Sequence, residues 1–256
     1  MDWDGKAVTT AVLVALVLVA GRCFGRRMAG VLAGLPTVTG PALLWLSLEQ
    51  GAAYAVDAAI GSVAACAVCA LFALVYERAS RRAGIVVAPL AATAASVGGA
   101  ITLQWLDGAL AAALLLALAA SWIARRLIPD VRREPRFTVA MHHEIMLTAL
   151  VAGGVSGAVA LAAPQVGAFW AGVIASPPLI AAVIAVHQHA FDGQPAAQRF
   201  LRGYVGGLLG RAAFGAGFAC LVTPLGPIAA ALAAAALACA LAALAMRRTS
   251  TPRPAF

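Results

Sequence analysis

The chain has 256 residues, of which 63% are hydrophobic and only 11% charged, with a formal net charge of +8 and a mean hydropathy of +0.93. A soluble domain is roughly half apolar and about a quarter charged, and so few polar residues do not cover a water-facing surface. The basic balance does not point to nucleic acid, because the arginines stand in short clusters between apolar runs, the pattern of cytoplasmic loops.

Apolar runs of about 20 residues suit helices that cross a hydrocarbon core about 30 Å thick. They show no alternation, which argues against a barrel, and lipid offers an open backbone no hydrogen-bond partners. In chain order the spans are expected at 7–22, 28–49, 54–76, 84–105, 108–126, 143–163, 166–187, 200–222 and 225–246. The expected fold class is an all-α polytopic membrane protein of about nine transmembrane helices, one membrane domain over residues 1–256. The start, Met1-Asp2-Trp3-Asp4-Gly5-Lys6, is acidic where a signal peptide is basic, so the first run reads as a retained span.

If the loop after the first span is inside, every arginine except Arg211 falls on the inner side, in clusters at 22–27, 78–82, 125–136, 199–202 and 247–253. Only Lys6 falls outside, so the positive-inside rule sets the N-terminus out and the tail 247–256 in the cytoplasm, in an inner or plasma membrane. Trp3, Trp45, Trp105 and Trp170 then lie at the outer interface and Trp122 near the inner one, where amphipathic rings are favoured.

The chain also repeats itself. Ala29-Gly30-Val31-Leu32-Ala33-Gly34-Leu35-Pro36 aligns with Ala171-Gly172-Val173-Ile174-Ala175-Ser176-Pro177-Pro178. The same offset pairs Gly61 with Gly203, Val63 with Val205 and Phe72 with Phe214. Past the loop at 77–84, a shorter offset pairs Val87-Ala88-Pro89-Leu90 with Val222-Thr223-Pro224-Leu225. Repeat 1 is then 7–105 (spans 1–4), residues 106–141 hold the connecting fifth span and a cytoplasmic loop, and repeat 2 is 142–246 (spans 6–9). An odd number of spans precedes the second repeat, so it enters from the opposite side. The expectation is a 4+1+4 inverted-topology repeat, the plan of many secondary transporters.

In such folds the site lies at the midplane on helices interrupted by Gly and Pro. The second span carries Gly34-Leu35-Pro36-Thr37-Val38-Thr39-Gly40-Pro41 near its middle, and the prolines should break the helix. Its outer half is expected to restart with Thr39 or Gly40 as N-cap and Pro41 at the first helical position. The seventh span repeats this with Ser176-Pro177-Pro178, where Ser176 is the expected N-cap. Two half-helix N-termini would then meet at the centre, each with unpaired N–H groups and partial positive charge, which suits an anion. Arg211, midway along the eighth span and paired by the repeat with Cys69, adds a full charge. An arginine at the bilayer centre costs about 3 kcal/mol on insertion scales and commonly marks a cavity.

The expected substrate-binding residues are therefore Arg211, Pro36, Thr37, Thr39, Gly40, Ser176, Pro177 and Pro178. Glu49, Asp57 and His187 are weaker candidates for coupling or gating, since carboxylates and histidine carry protons or cations. His142-His143-Glu144 lacks the i, i+4 spacing that places two metal ligands on one helix face. Cys66-Ala67-Val68-Cys69 sits in an apolar run and reads as small helix residues. Nothing calls for a cofactor, a nucleic acid or catalysis: the chain has no phosphate loop and no GxSxG turn. The expected partners are the lipid bilayer, a small anionic organic solute and, compatibly, further copies of the chain. The function this implies is a secondary transporter or permease; a passive channel and a non-transporting membrane subunit are the alternatives.

Overall fold

A computed structural model describes residues 26–131 except Val38 and 165–250 except Pro177, with isolated positions between 5 and 19 and between 146 and 154. Apart from those positions, the expected spans at 7–22 and 143–163 lie outside the described residues, as do His142, His143, Glu144 and the last residues of the tail. Among the described residues every regular element is helical: α1 Arg26–Gly34, α2 Thr39–Gln50, α3 Ala52–Ser80, α4 Gly84–Ile101, α5 Leu110–Leu127, α6 Ala168–Ile174, α7 Leu179–Asp192, α8 Gln194–Leu225 and α9 Pro227–Ser250. A short 3₁₀ turn, Thr102–Leu106, follows α4.

Among the described residues six helical stretches are long and apolar enough to cross a membrane: Ala29–Gln50, Ala52–Ser80, Gly84–Leu106, Leu110–Leu127, Ala168–Asp192 and Gln194–Leu225. They occupy the places expected for spans 2 to 5, 7 and 8. Helix α9, which runs from Pro227 to Ser250, takes the place of the ninth. The outer helices α4 and α5 leave Val86, Leu90, Val97, Leu115 and Ile123 exposed, a cost in water but not against lipid tails.

Single glycines turn the chain between helices. Gly51 (φ 90°) joins α2 to α3, and Gly193 (φ 86°) joins α7 to α8. A β-carbon disfavours that left-handed backbone, so glycine permits the reversal in one residue. The short links stand successive helices side by side, and the helix ends fall into two sets. One end holds Gln50, Leu106, Gly167 and Leu225. The other holds Arg27, Ser80, Leu127 and Asp192, and with them the described arginines other than Arg211.

Two long helices, α3 (29 residues) and α8 (32 residues), form the centre. Each is packed backbone to backbone against a broken segment. A methyl group at Gly61 of α3 would overlap the carbonyl oxygen of Phe169, and one at Gly203 of α8 would overlap that of Arg27. In the same way Gly172 sits on the Ala58 carbonyl and Gly30 on that of Phe200. Small residues allow such approaches, and close van der Waals packing is the main attraction between helices in lipid. In each of these pairs of contacts both partners are displaced by 142 residues, the separation of Cys69 from Arg211.

That separation persists past the loop at 77–84. Gly84 (φ 73°), the first residue of α4, and Gly226 (φ 78°), just before α9, are also 142 apart. The two Val-x-Pro-Leu segments from which a shorter offset was expected stand in different settings. Pro89 lies in the second turn of α4, whereas Pro224 lies in the last turn of α8, so the two prolines occupy different helices of the hairpin. Both prolines lie inside their helices, and a shared Pro-Leu pair does not by itself fix a register.

Candidate functional site

The break between α1 and α2 follows from its prolines. The Leu35 N–H still closes the last turn of α1 on Val31, Thr37 turns back onto the Leu35 carbonyl at 2.8 Å, and Gly40 N–H bonds to the Pro36 carbonyl at 2.9 Å. Helix α2 then begins at Thr39, which is its first helical residue rather than its N-cap, so Pro41 stands third in the helix and not first as expected. Gly40 lies against the ring of Phe214, close enough that an added β-carbon would touch it at 3.4 Å.

The break between α6 and α7 differs from expectation. Ser176 does not cap the second half-helix. Its N–H closes the final turn of the first half on the Val173 carbonyl at 3.1 Å, and α7 is preceded by Pro178, with no side-chain cap. Pro178 instead supplies a carbonyl that accepts from Ala182 at 2.7 Å, while Pro177 lies outside the described residues. The Ser176 hydroxyl is turned into the protein, where other hydroxyls are within reach.

That inward turn creates a buried polar layer. The Ser176 hydroxyl donates to Ser62 of α3 at 3.0 Å and lies 3.3 Å from the hydroxyl of Thr39. The Ser176 carbonyl accepts from the Cys69 thiol at 3.3 Å. Cys69 in turn lies 3.7 Å from Nη1 of Arg211, whose Nη2 donates to the Ala33 carbonyl at 3.0 Å. The guanidinium carbon stands 5.8 Å from the centre of the Tyr204 ring, within cation–π range. Both helix breaks and both long helices thus contribute to one cluster.

Arg211 is only 7% exposed, and among the described residues no carboxylate pairs with it. Its Nε is buried without a hydrogen-bond partner among the described residues, while the Tyr204 hydroxyl stands beside Cys69 and Arg211. A guanidinium offers five donors in a planar fork, and here it meets one carbonyl, one thiol and one ring face. An orphaned buried donor on a full charge marks an acceptor-poor site, where an anion's oxygens would supply what the protein does not.

Apolar layers close the cluster on both sides. Towards the arginine-poor end lie Leu43, Phe214, Phe218 and Val222. Towards the arginine-rich end lie Phe72, Tyr76, Ile184, Phe200 and Leu201. Pro36 and Thr37 are half-buried in the first break.

The expected coupling residues are not part of this cluster. Glu49 is exposed near the end of α2, about 15 Å along the helix from Thr39 at 1.5 Å per residue. Asp57 is half-buried, about 18 Å along α3 from Cys69 on the same rise. His187 lies towards the arginine-rich end of α7, its ring 4.8 Å from that of Phe191. Four residues the sequence reading did not select belong to the architecture: Ser62, Cys69 and Tyr204 in the cluster, and Glu77, buried near the end of α3 and ion-paired with Arg81. Cys69 was legible as the repeat partner of Arg211. Ser62 and Tyr204 give no local signal of their own, and Glu77 reads only as one charge in the Arg-rich end of α3.

Comparison with models of known families, with curated proteins and with solved structures gives no match.

Proposed function

We propose that the protein is a secondary transporter that carries a small anionic organic solute across the membrane by alternating access. The observation that carries this reading is the buried Arg211, with an orphaned donor and no carboxylate partner among the described residues, at the point where two broken helices meet two long ones. A midplane arginine at discontinuous helices is the arrangement by which transporters hold anionic groups.

The reading includes two inverted halves of four spans, 7–105 and 142–246, around the fifth span, with the N-terminus outside. The reciprocal contacts of Gly61 with Phe169 and Gly203 with Arg27 support it, as do the matching glycine turns at Gly51 and Gly193. Two halves of equivalent structure have two near-equivalent ways to pack. In one the apolar layer around Phe214 and Phe218 parts; in the other the layer around Phe72 and Phe200 parts. The polar layer between them stays in place and meets each side of the membrane in turn. A carboxylate or phosphate entering the cluster would displace the weak thiol contact of Arg211 and accept from its fork.

The test is a thermal-shift screen of purified protein against carboxylates, phosphates, amino acids and neutral controls, followed by counterflow of the best ligand in vesicles. A ligand at about 100 times its Kd stabilises the folded state by about 2.7 kcal/mol. Anions should give this shift in the wild type and not in Arg211→Ala, and labelled solute should exchange with saturation. A shift from neutral or cationic compounds alone, or one indifferent to Arg211, overturns the site; large single-channel currents overturn the carrier.

A further inference from the structure

The outer surface between α5 and α8 holds a second feature, independent of the central cluster. A groove of about 700 Å³ is lined by Leu115, Leu118, Trp122, Arg125, Arg126 and Arg202, among others. Its chemistry is graded. On α5 the residues 115, 118, 122, 125 and 126 follow helical spacing down one face, apolar first, then tryptophan, then two arginines. On α8 Leu209 lines the apolar part and Arg202 the charged part. From Leu115 to Arg126 the helix rises about 16 Å, close to half of a hydrocarbon core of about 30 Å. The groove therefore runs from the arginine-rich interface to mid-membrane, the depth of one leaflet.

The charged end is built as well as basic. Arg202 donates to the Arg125 carbonyl at 3.0 Å and to that of Ile128, so it ties the last turn of α5 to α8 and satisfies carbonyls that a helix end leaves open. Arg126 stacks over Trp122, 5.1 Å from the ring centre. The charges of Arg202 and Arg27 both act on Arg125. Against these cations stands Asp130, 3.8 Å from Arg202 and more than half exposed. A surplus of positive charge at the interface, above an apolar trough, complements a molecule with an anionic head and a long apolar tail.

We infer that this groove binds an anionic phospholipid of the arginine-side leaflet, its phosphate held by Arg125, Arg126 and Arg202 and one acyl chain laid along Trp122, Leu118 and Leu115. Basic pockets between helices at that interface recognise acidic lipid heads, and each cation contributes about fivefold in affinity. Trp122, 60% exposed, is placed to pack at the level of the glycerol backbone, where indole rings settle.

The experiment is native mass spectrometry of the protein released from nanodiscs of equal parts phosphatidylglycerol and phosphatidylcholine. The wild type should retain the anionic lipid several-fold over the zwitterionic one. Trp122→Ala with Arg126→Gln, both exposed positions, should lose that preference by about fivefold or more. Arg78→Gln with Arg82→Gln, exposed in the last turn of α3 and in the link that follows it, should keep it, which separates the groove from general surface charge. Equal retention of the two lipids by the wild type overturns the inference. So does a preference unchanged in the groove variant, or one lowered as much by the control pair. Displacement of the lipid by millimolar glycerol phosphate would overturn it too, because a head group alone would then suffice. Transport activity plays no part in the readout, so the central site and the groove stand or fall separately.

Discussion

Helices α3 and α8 are the two regions to compare. Each begins after a left-handed glycine, at Gly51 and Gly193, and each seats a glycine against a broken segment, at Gly61 and Gly203. They differ where they touch each other: α3 presents Cys69 and α8 presents Arg211. The packing is equivalent on both sides while the charge is on one. Close packing needs only small residues at fixed intervals, which two halves can share, but two facing guanidiniums in a dry layer would repel at short range. One arginine and one thiol leave room and positive charge for a ligand.

The largest expected effect tests that asymmetry. Arg211→Cys should abolish the anion-induced thermal shift, a loss of about 2.7 kcal/mol at 100 times the Kd. The exchanged pair, Cys69→Arg with Arg211→Cys, should recover part of it, as read by the same melting curves. A double variant as inert as the single one would break the equivalence of the two helices. Arg211→Lys sharpens the point: a lysine keeps the charge but not the fork, and transport near the alanine level would show that bidentate geometry matters.

Next come the packing glycines. Gly61→Ala and Gly203→Ala should each destabilise by about 1–3 kcal/mol through overpacking against a backbone carbonyl, and by similar amounts if the two contacts are equivalent. Unfolding in graded denaturing detergent measures this, and a loss at one position alone would separate the halves. Thr39→Val and Ser176→Ala remove hydroxyls from the buried layer. Each should cost about 1 kcal/mol, with Ser176→Ala the larger because its hydroxyl faces both Ser62 and Thr39. The smallest effects belong to Glu49→Gln and Asp57→Asn, which should change stability by less than about 0.5 kcal/mol and leave the ligand shift intact. Loss of the shift in either would extend the site towards the arginine-poor end.

The break at Pro36 was legible because proline acts on its own turn, although the helix resumes at Thr39 itself rather than after a cap there. The role of Ser176 was not. Serine before two prolines fits an N-cap by local rules, yet the structure offers its hydroxyl Ser62 and Thr39, 114 and 137 residues away in sequence. Local chemistry lists what a hydroxyl is able to bond, and packing chooses among the options. Tyr204 and Ser62 carried no signal for the same reason: alone in apolar helices, they gain meaning only beside Arg211 and Ser176.

By itself the sequence determined the helical, membrane-suited character of this protein, the positions of the apolar helices described, and the clustering of arginines at one end. These depend on run length and local charge, which are properties of contiguous residues. Only the tertiary structure decided that Thr39, Ser62, Cys69, Ser176 and Arg211 share one buried layer, that Glu49, Asp57 and His187 stand outside it, and that three arginines crown a groove one leaflet deep. Those outcomes depend on which helix faces pack together, and that choice is made by contacts between residues far apart in the chain.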